Sequence, residues 1–425
     1  MSKLPYKNYK NKSKKFHNQK NYNISNINES GFTFNSNIND EQIEPEWMKP
    51  ETKKIENINQ RFHKEILDYV NYITPKNETL TARQNTFNLF TKIVEKYRPD
   101  WKVCLFGSFS QNISTVFSDL DFLIVYGNKN SSQEYDIKEM YNLMNFLKKE
   151  EFSQNIRLAK ARVPVLRATC TSTGINIDIS INRENGCQAV EAIQKIIKKY
   201  KILRPSIITL KILLKKFNLN DPHSGGMNSF LLFHLVYFFF IQKLKEKNKD
   251  NNLELNNEVK IEDNNNSNKQ PKDNLSMIKN NNTEYEKENE LNYNKDNHED
   301  YKEDNNNISN KNYKEEKNCT YEGNIGNFII LFLNFYGNEF DYKKYSLSLN
   351  GNNLGKMFLK DQRKDIECSN TISIESIIEK GKDVGNNCYN YPIIVKLFKA
   401  AYNMIQSEKE KDVCSILQSL GFPSL

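Results

Sequence analysis

Cysteine is sparse in this 425-residue chain: the seven present are odd in number and show no Cys-x-x-Cys spacing, which argues against a disulfide framework and for a reducing compartment. Histidine is scarcer, and the five present form no spaced cluster with those cysteines, so no zinc knuckle is visible. Long hydrophobic runs are missing too. No apolar stretch reaches the roughly 18 to 20 residues that cross a bilayer, and the N-terminus lacks a signal-peptide core, so no membrane association is expected.

What is present is a moderately apolar, slightly basic chain. A hydrophobic content of 37% suffices for one or two cores. Lys+Arg 61 against Asp+Glu 53 leaves a net charge of +8, which suits a polyanionic partner. Residues 1 to 44 are rich in Asn, Lys and Ser, with no acid before Glu29, and read as a disordered tail that either grasps polyanions or targets the nucleus, or is merely solvated. A second stretch from Glu246 to Glu322, dominated by Asn, Lys, Glu and Asp, reads as a disordered insertion. Loop closure costs only ~0.6 kcal/mol per doubling of length, so a surface loop tolerates such an expansion.

Between these stretches the periodicity is clear. Ile55, Ile58, Phe62, Ile66, Val70 and Ile73 recur at helical spacing from Glu51 to Ile73, and Phe87, Phe90 and Val94 define a second helix from Thr81 to Tyr97. Strands are expected near Lys102–Phe106, Leu120–Val125, Arg157–Lys160, Pro164–Cys170 and Ile175–Ile181, with a helix over Ser132–Glu150. Further helices are expected at Gln188–Lys199, Pro205–Phe217, Asn228–Lys243, Ile325–Tyr336 and Tyr389–Ile405.

Three acids stand out on this framework. In a strand, side chains alternate between faces, so Asp119 and Asp121 point the same way while Leu120, Phe122 and Ile124 pack behind them. Asp178 occupies the polar face of Ile175–Ile181, and pairing the two strands would bring the third carboxylate to the same spot. Three carboxylates at one place repel unless cations bind, and magnesium favours such oxygen ligands while keeping room for substrate phosphates. Gly107-Ser108, after the strand ending at Phe106, offers close backbone approach to phosphate and a hydroxyl. Lys211 and Lys215 lie one helical turn apart, either reaching a triphosphate or forming a solvated basic face with Lys216. His223 and His234 read as satisfied structural groups, and Cys104, Cys170 and Cys187 as small buried residues.

The chain resembles the polymerase-beta-type nucleotidyltransferases, and within them the TRAMP-type poly(A) RNA polymerases, also called DNA polymerase sigma-like or topoisomerase-related enzymes. The likeness rests on Phe106-Gly107-Ser108-Phe109, Ser118-Asp119-Leu120-Asp121, Ala161-Arg162-Val163-Pro164-Val165, Asn176-Ile177-Asp178-Ile179-Ser180, Leu203-Arg204-Pro205 and Leu219-Asn220-Asp221-Pro222-His223-Ser224-Gly225-Gly226. It covers roughly residues 45 to 242 and 323 to 406. It implies an α+β protein: a polymerase-beta-like nucleotidyltransferase domain, with a mixed sheet and helices, at 98–187, and a mostly helical poly(A) polymerase central domain built from 45–97, 188–245 and 323–406. Residues 407–425 are left as a C-terminal tail.

The resemblance also implies site residues. Asp119, Asp121 and Asp178 would be catalytic and hold two Mg2+ or Mn2+ ions, and Lys211 would match the family's triphosphate lysine, with Lys215 beside it. Gly186 would contact nucleotide, unless it is a simple turn glycine; Ser229 would touch phosphate and Phe230 would stack on the base, unless that ring is core. The stretch Ile374–Asn386 resembles the family's nucleotide recognition motif, with Lys382 in place of the usual Asn and Asn386 in place of Arg. Lys382, Asp383 and Asn386 are therefore nucleotide-binding candidates, unless the loop is a surface loop without a ligand. The implied activity is template-free addition of AMP from ATP to RNA 3′ ends in nuclear, and also cytoplasmic, RNA surveillance, with a zinc-knuckle RNA-binding protein and a helicase as partners. Terminal uridylyl transfer and an inactive scaffold of an RNA decay complex are the rival expectations.

Overall fold

In the computed structural model the described residues are 27–28, 31–32, 34, 45–126, 133–159, 164–181, 185–263, 323–364 and 371–425. Most of the basic tail, most of the Asn-rich insertion and the Ala161-Arg162-Val163 motif lie outside them. One compact unit comprises Met1–Leu244 with Thr320–Leu425, and a second comprises Lys245–Cys319.

In chain order, a two-residue ladder of β1 (Ile27–Asn28) and β2 (Gly31–Phe32) precedes helices α1 (Pro50–Lys53), α2 (Ile58–Ile73) and α3 (Asn77–Tyr97). Strand β3 (Lys102–Phe106), the single turn α4 (Gly107–Ser110), β4 (Leu120–Val125), α5 (Gln133–Lys149), β5 (Arg157–Ala159), β6 (Val165–Thr169) and β7 (Asn176–Ile181) follow. Then come α6 (Asn185–Lys199), α7 (Leu203–Lys216), α8 (Ser229–Asp263), α9 (Ile325–Asn334), the hairpin of β8 (Tyr345–Ser348) and β9 (Lys356–Leu359), α10 (Tyr391–Glu410) and α11 (Ile416–Ser419).

The five strands expected from alternation form one sheet in the order β3-β4-β7-β6-β5, parallel between β4 and β7 and antiparallel elsewhere. Leu120, Phe122 and Ile124 of β4 and Ile177, Ile179 and Ile181 of β7 are buried on one face against Met140, Leu143 and Leu147 of α5 and Phe90, Ile93 and Val94 of α3. The Phe90 and Phe122 rings stack with centroids 4.6 Å apart. Helix α3 thus packs with the sheet rather than with the central helices to which the resemblance assigned it. The reason is its apolar stripe, which meets the underside of β4.

The helical core is built by α2, α7, α8, α9 and α10, centred on residues such as Ile66, Leu210, Phe238, Phe332 and Leu397. Helix α2 starts later than expected, because Asn57 accepts from the amides of Asn59 and Gln60 at 3.1 Å each and so caps a new helix after α1. Helix α8 runs past the expected end at Lys243 to Asp263, into the stretch read as an insertion. Residues 407–425 are not a tail. Helix α10 extends to Glu410, and Ile416, Leu417, Leu420 and Phe422 are buried in the helical core. Buried Glu65 of α2 receives Ser415 Oγ and, at 3.1 Å each, the amides of Ile416 and Leu417.

Sheet and helices are tied by polar contacts. Arg204 of α7 donates from Nε to the carbonyl of Asn112 at 2.9 Å and from Nη2 to Thr74 Oγ1 at 3.1 Å, which accounts for the arginine in the Leu203-Arg204-Pro205 motif. On the helical side, buried His234 of α8 donates from Nδ1 to the Phe230 carbonyl at 2.7 Å, and its Nε2 accepts from the Ile377 amide at 3.2 Å. With both nitrogens used, the ring is neutral, and burial pushes its pKa down to about 4.

Glu65→Ala is expected to lower stability by about 3 kcal/mol, because three buried donors lose their acceptor, and to expose the segment after Glu410 to proteolysis; chemical denaturation and limited digestion check both. A histidine whose folded pKa lies below its unfolded value stabilises above about pH 6.5 and loses that contribution as the pH falls towards 4. The stability gap between wild type and His234→Gln should accordingly narrow by about 2 kcal/mol between pH 7 and pH 5 in urea titrations.

Candidate active site

The polar face of the sheet carries the acids. Asp121 and Asp178 are register partners on the parallel pair β4 and β7, while Asp119 is exposed one residue before β4 begins. Burial, then the charges of Asp178 and Asp119, push the Asp121 carboxyl up to about 7. Burial and Asp119 raise Asp178 to about 6, against the pull of Arg167 and Arg157. The three carboxylates therefore sense one another, as the alternation of the two runs anticipated.

They do not close into a ready-made cage. Among the described residues no three His, Cys, Asp or Glu side chains are gathered tightly enough to hold an ion unaided. Asp178 instead faces Arg167 of β6, with Oδ2 3.7 Å from Nε. The donor set nonetheless fits a hard divalent cation. It offers several carboxylate oxygens, those of Asp121 and Asp178 held back from ionising by burial and then by their charged neighbours, and it has no sulfur or imidazole among the three.

Gly107 has a sharper structural reason than access to phosphate. Its φ is +65°, and a Cβ there would lie 1.9 Å from Asp121 Oδ2, so only glycine lets β3 turn into α4 beneath that carboxylate. Ser108, buried beside it, donates its backbone N–H to Asp121. Arg83 of α3, which sequence reasoning passed over, donates from Nη2 to the carbonyls of Thr115 at 3.0 Å and Ser118 at 2.7 Å, and so shapes the loop that presents Asp119.

Both lysines of α7 reach that same loop. Lys211 Nζ is 3.3 Å from Ser118 Oγ, and Lys215 Nζ donates to the Phe117 carbonyl at 2.9 Å. Burial, then Lys215, lower the Lys211 pKa to about 8 against the opposing pull of Asp121 and Asp119. Lys216 is drawn away to the Leu420 carbonyl at 2.8 Å, so the three lysines are not one solvated face.

The remaining candidates are placed unevenly. Ser229 and Phe230 are half-buried in the first turn of α8, and the Phe230 ring packs at 4.4 Å between centroids on His234. Gly186 is the second residue of α6, and no described contact joins it to the acids. In the 374–386 segment, Asp383 is buried and its Oδ1 accepts the amides of Ile374 at 3.0 Å and Gly385 at 2.8 Å. Through these bonds its carboxylate holds the loop in shape. Lys382 is exposed and paired with Glu379 at 2.6 Å, and Asn386 is exposed. Glu375 is the anchor of the segment, accepting from Arg363 Nη2, Gly381 N and Ser348 Oγ at 3.0, 3.0 and 2.7 Å.

The residues just after the recognition segment meet the Leu219–Gly226 loop. Tyr389 OH donates to the His223 carbonyl at 3.3 Å, Asn390 N to the Gly225 carbonyl at 3.0 Å, and the Tyr389 ring covers Gly225 so closely that a Cβ would fall 2.2 Å from it. Asp221 of that loop lies 4.0 Å from Arg167. Arg167 escaped notice in the sequence and Asp221 entered only as part of a motif, although Arg167 alternates with buried Leu166 and Ala168 and so had to share the face of Asp178.

Known proteins match this architecture. Residues 62–198 match the family model for the central palm domain of mitochondrial-like poly(A) RNA polymerase, and residues 324–376 that for Cid1 family poly A polymerase. Poly(A) RNA polymerase protein 2 of Saccharomyces cerevisiae is 32% identical over 178 residues, covering 41% of this chain and 30% of that protein. Inactive non-canonical poly(A) RNA polymerase protein Trf4-2 of Drosophila melanogaster is 22% identical over 373 residues, covering 84% of this chain and 72% of that protein. In the first of these relatives the match spans less than a third of the protein's length. The solved polymerase core of TRAMP, a RNA surveillance complex, has the same fold, with a TM-score of 0.59 at 21% identity over 87% of this chain and 94% of that one. With its sheet and its acids, the chain is thus similar to poly(A) RNA polymerases over residues 62–198 and 324–376, and it shares the fold of the TRAMP polymerase core.

Proposed function

We propose that this protein adds AMP from ATP to RNA 3′ ends without a template. The observation that carries the reading is the register pairing of Asp121 with Asp178, directly beside Gly107-Ser108 and within the electrostatic reach of Lys211. Two Mg2+ or Mn2+ ions held by Asp119, Asp121 and Asp178 would supply activation of the attacking hydroxyl and neutralisation of the departing pyrophosphate. Asp178, on the central strand of the sheet, positions the RNA 3′-OH and takes its proton. Lys211 and Lys215 carry positive charge to the triphosphate from the far side of Asp119, while Ser108 and Ser229 offer hydroxyls to its oxygens. Phe230 supplies a stacking face for the base, at a typical ~1 to 3 kcal/mol.

Lys382 and Asn386, exposed at the recognition segment, face the base or its phosphates, and Gly186 lies against the nucleotide. The setting that we propose is nuclear RNA surveillance, with presence in the cytoplasm as well, and with a zinc-knuckle RNA-binding protein and a helicase for substrate capture. The lysine-rich N-terminal tail supports the nuclear placement. A second reading, a catalytically inactive scaffold, draws on the likeness to the inactive Drosophila relative along most of this chain.

Purified protein incubated with a labelled RNA primer, Mg2+ or Mn2+ and each nucleoside triphosphate in turn should extend the primer with ATP. Extension with UTP instead would assign uridylyl transfer, and RNA binding without extension under either metal would assign the scaffold. Asp119→Ala and Asp121→Ala should abolish extension while remaining folded. Because the raised carboxyl of Asp121 disfavours the folded state once ionised, Asp121→Asn should also raise metal-free stability at pH 8 by about 1 kcal/mol or more, read by thermal denaturation.

A further inference from the structure

One residue from each strand of the sheet lies on a single register line: Phe106, Asp121, Asp178, Arg167 and Arg157. The line is ordered by charge. Gly107 and Ser108 follow Phe106 at one end, the two acids occupy the middle, and two arginines occupy the other end. Strands are spaced about 4.8 Å apart, so Arg157 stands roughly 9 to 10 Å beyond Asp178. Arg157 is exposed and Arg167 is about one-third exposed, and both pull electrostatically on Asp178.

Among the described residues Arg167 is held by charge alone. Its contacts to Asp178 at 3.7 Å and Asp221 at 4.0 Å are too long for hydrogen bonds, and its buried Nε has no hydrogen-bond acceptor among the described residues. A guanidinium so placed has donors to offer, and its planar fork matches the two free oxygens of a phosphodiester.

The order along the line decides which phosphate. In phosphoryl transfer the attacking and leaving oxygens are roughly in line, on opposite sides of the phosphorus. If the triphosphate leaves towards Gly107, Ser108 and Lys211, the attacking strand must arrive from the opposite end, across β6 and β5. We propose that Arg167 and Arg157 bind the phosphodiester backbone of the RNA primer just behind its 3′-OH, with Arg167 at the nearer phosphate and Arg157 at the next. This rests on the RNA-polymerase reading given above. The two acids beside Arg167 keep the guanidinium aimed over the sheet when no RNA is present.

Binding of a short labelled single-stranded RNA to the full chain, followed by fluorescence anisotropy at several salt concentrations without ATP, tests it. Arg167→Ala and Arg157→Ala should each weaken binding about tenfold, as loss of a charge-assisted hydrogen bond does, and each should reduce the log–log salt slope by about 0.7. Arg167→Lys should keep the slope while losing part of the affinity, since it retains the charge without the fork. In extension assays the KM for RNA should rise and that for ATP should stay. Wild-type salt slope and affinity in both alanine variants, or a raised KM for ATP with RNA binding intact, would overturn the proposal while leaving the polymerase reading in place. Failure of the wild-type chain itself to bind RNA would sink both, and is seen before any variant is made.

Discussion

The structure turns on electrostatic crowding at the top of two parallel strands. Asp121 and Asp178 sit side by side because the apolar residues between and beneath them fix the register, and a one-residue slip would drive the acids into the core. The hydrophobic underside thus sustains a repulsion that would otherwise push the strands apart. Gly107, whose bare Cα leaves room for the Asp121 carboxylate, and Arg83, which ties down the loop carrying Asp119, are consequences of the same constraint.

Around this negative centre the neighbouring elements are arranged by charge. Lys211 and Lys215 reach into the loop before Asp121 from the helical side, and Arg167 leans on Asp178 from the adjoining strand. Lys211 is buried at an energetic cost that its lowered pKa records, and the nearby acids offset part of it. The result is a face with a cationic flank on either side of its acids, which suits the proposed reaction between two polyanions.

The segment after the β8–β9 hairpin obeys a different logic. Its acidic residues are consumed internally: Glu375 by Arg363, Ser348 and Gly381, and Asp383 by the amides of Ile374 and Gly385. Buried His234 then joins the segment to the turn that carries Phe230. The loop is stiffened by polar groups facing inward, leaving Lys382 and Asn386 at the surface.

The sequence by itself determined the strands and the acid-bearing face, because side-chain alternation has a period of two and is written in consecutive residues such as Ile175 to Ile181. It also carried the helices, whose apolar stripes recur locally, to within a few residues at most ends. Tertiary structure decided what depends on partners far apart in the chain. Helix α3 packs on the sheet, Ile416, Leu417, Leu420 and Phe422 join the helical core while Glu65 of α2 accepts the amides of Ile416 and Leu417, and Asp383 caps backbone amides. Arg167 acquired its place only when β6 paired with β7 and the Asp221 loop came across. Periodicity reveals which face a residue occupies, but which distant charge lies opposite is settled by packing, since hydrophobic burial is non-directional and does not specify the polar partner.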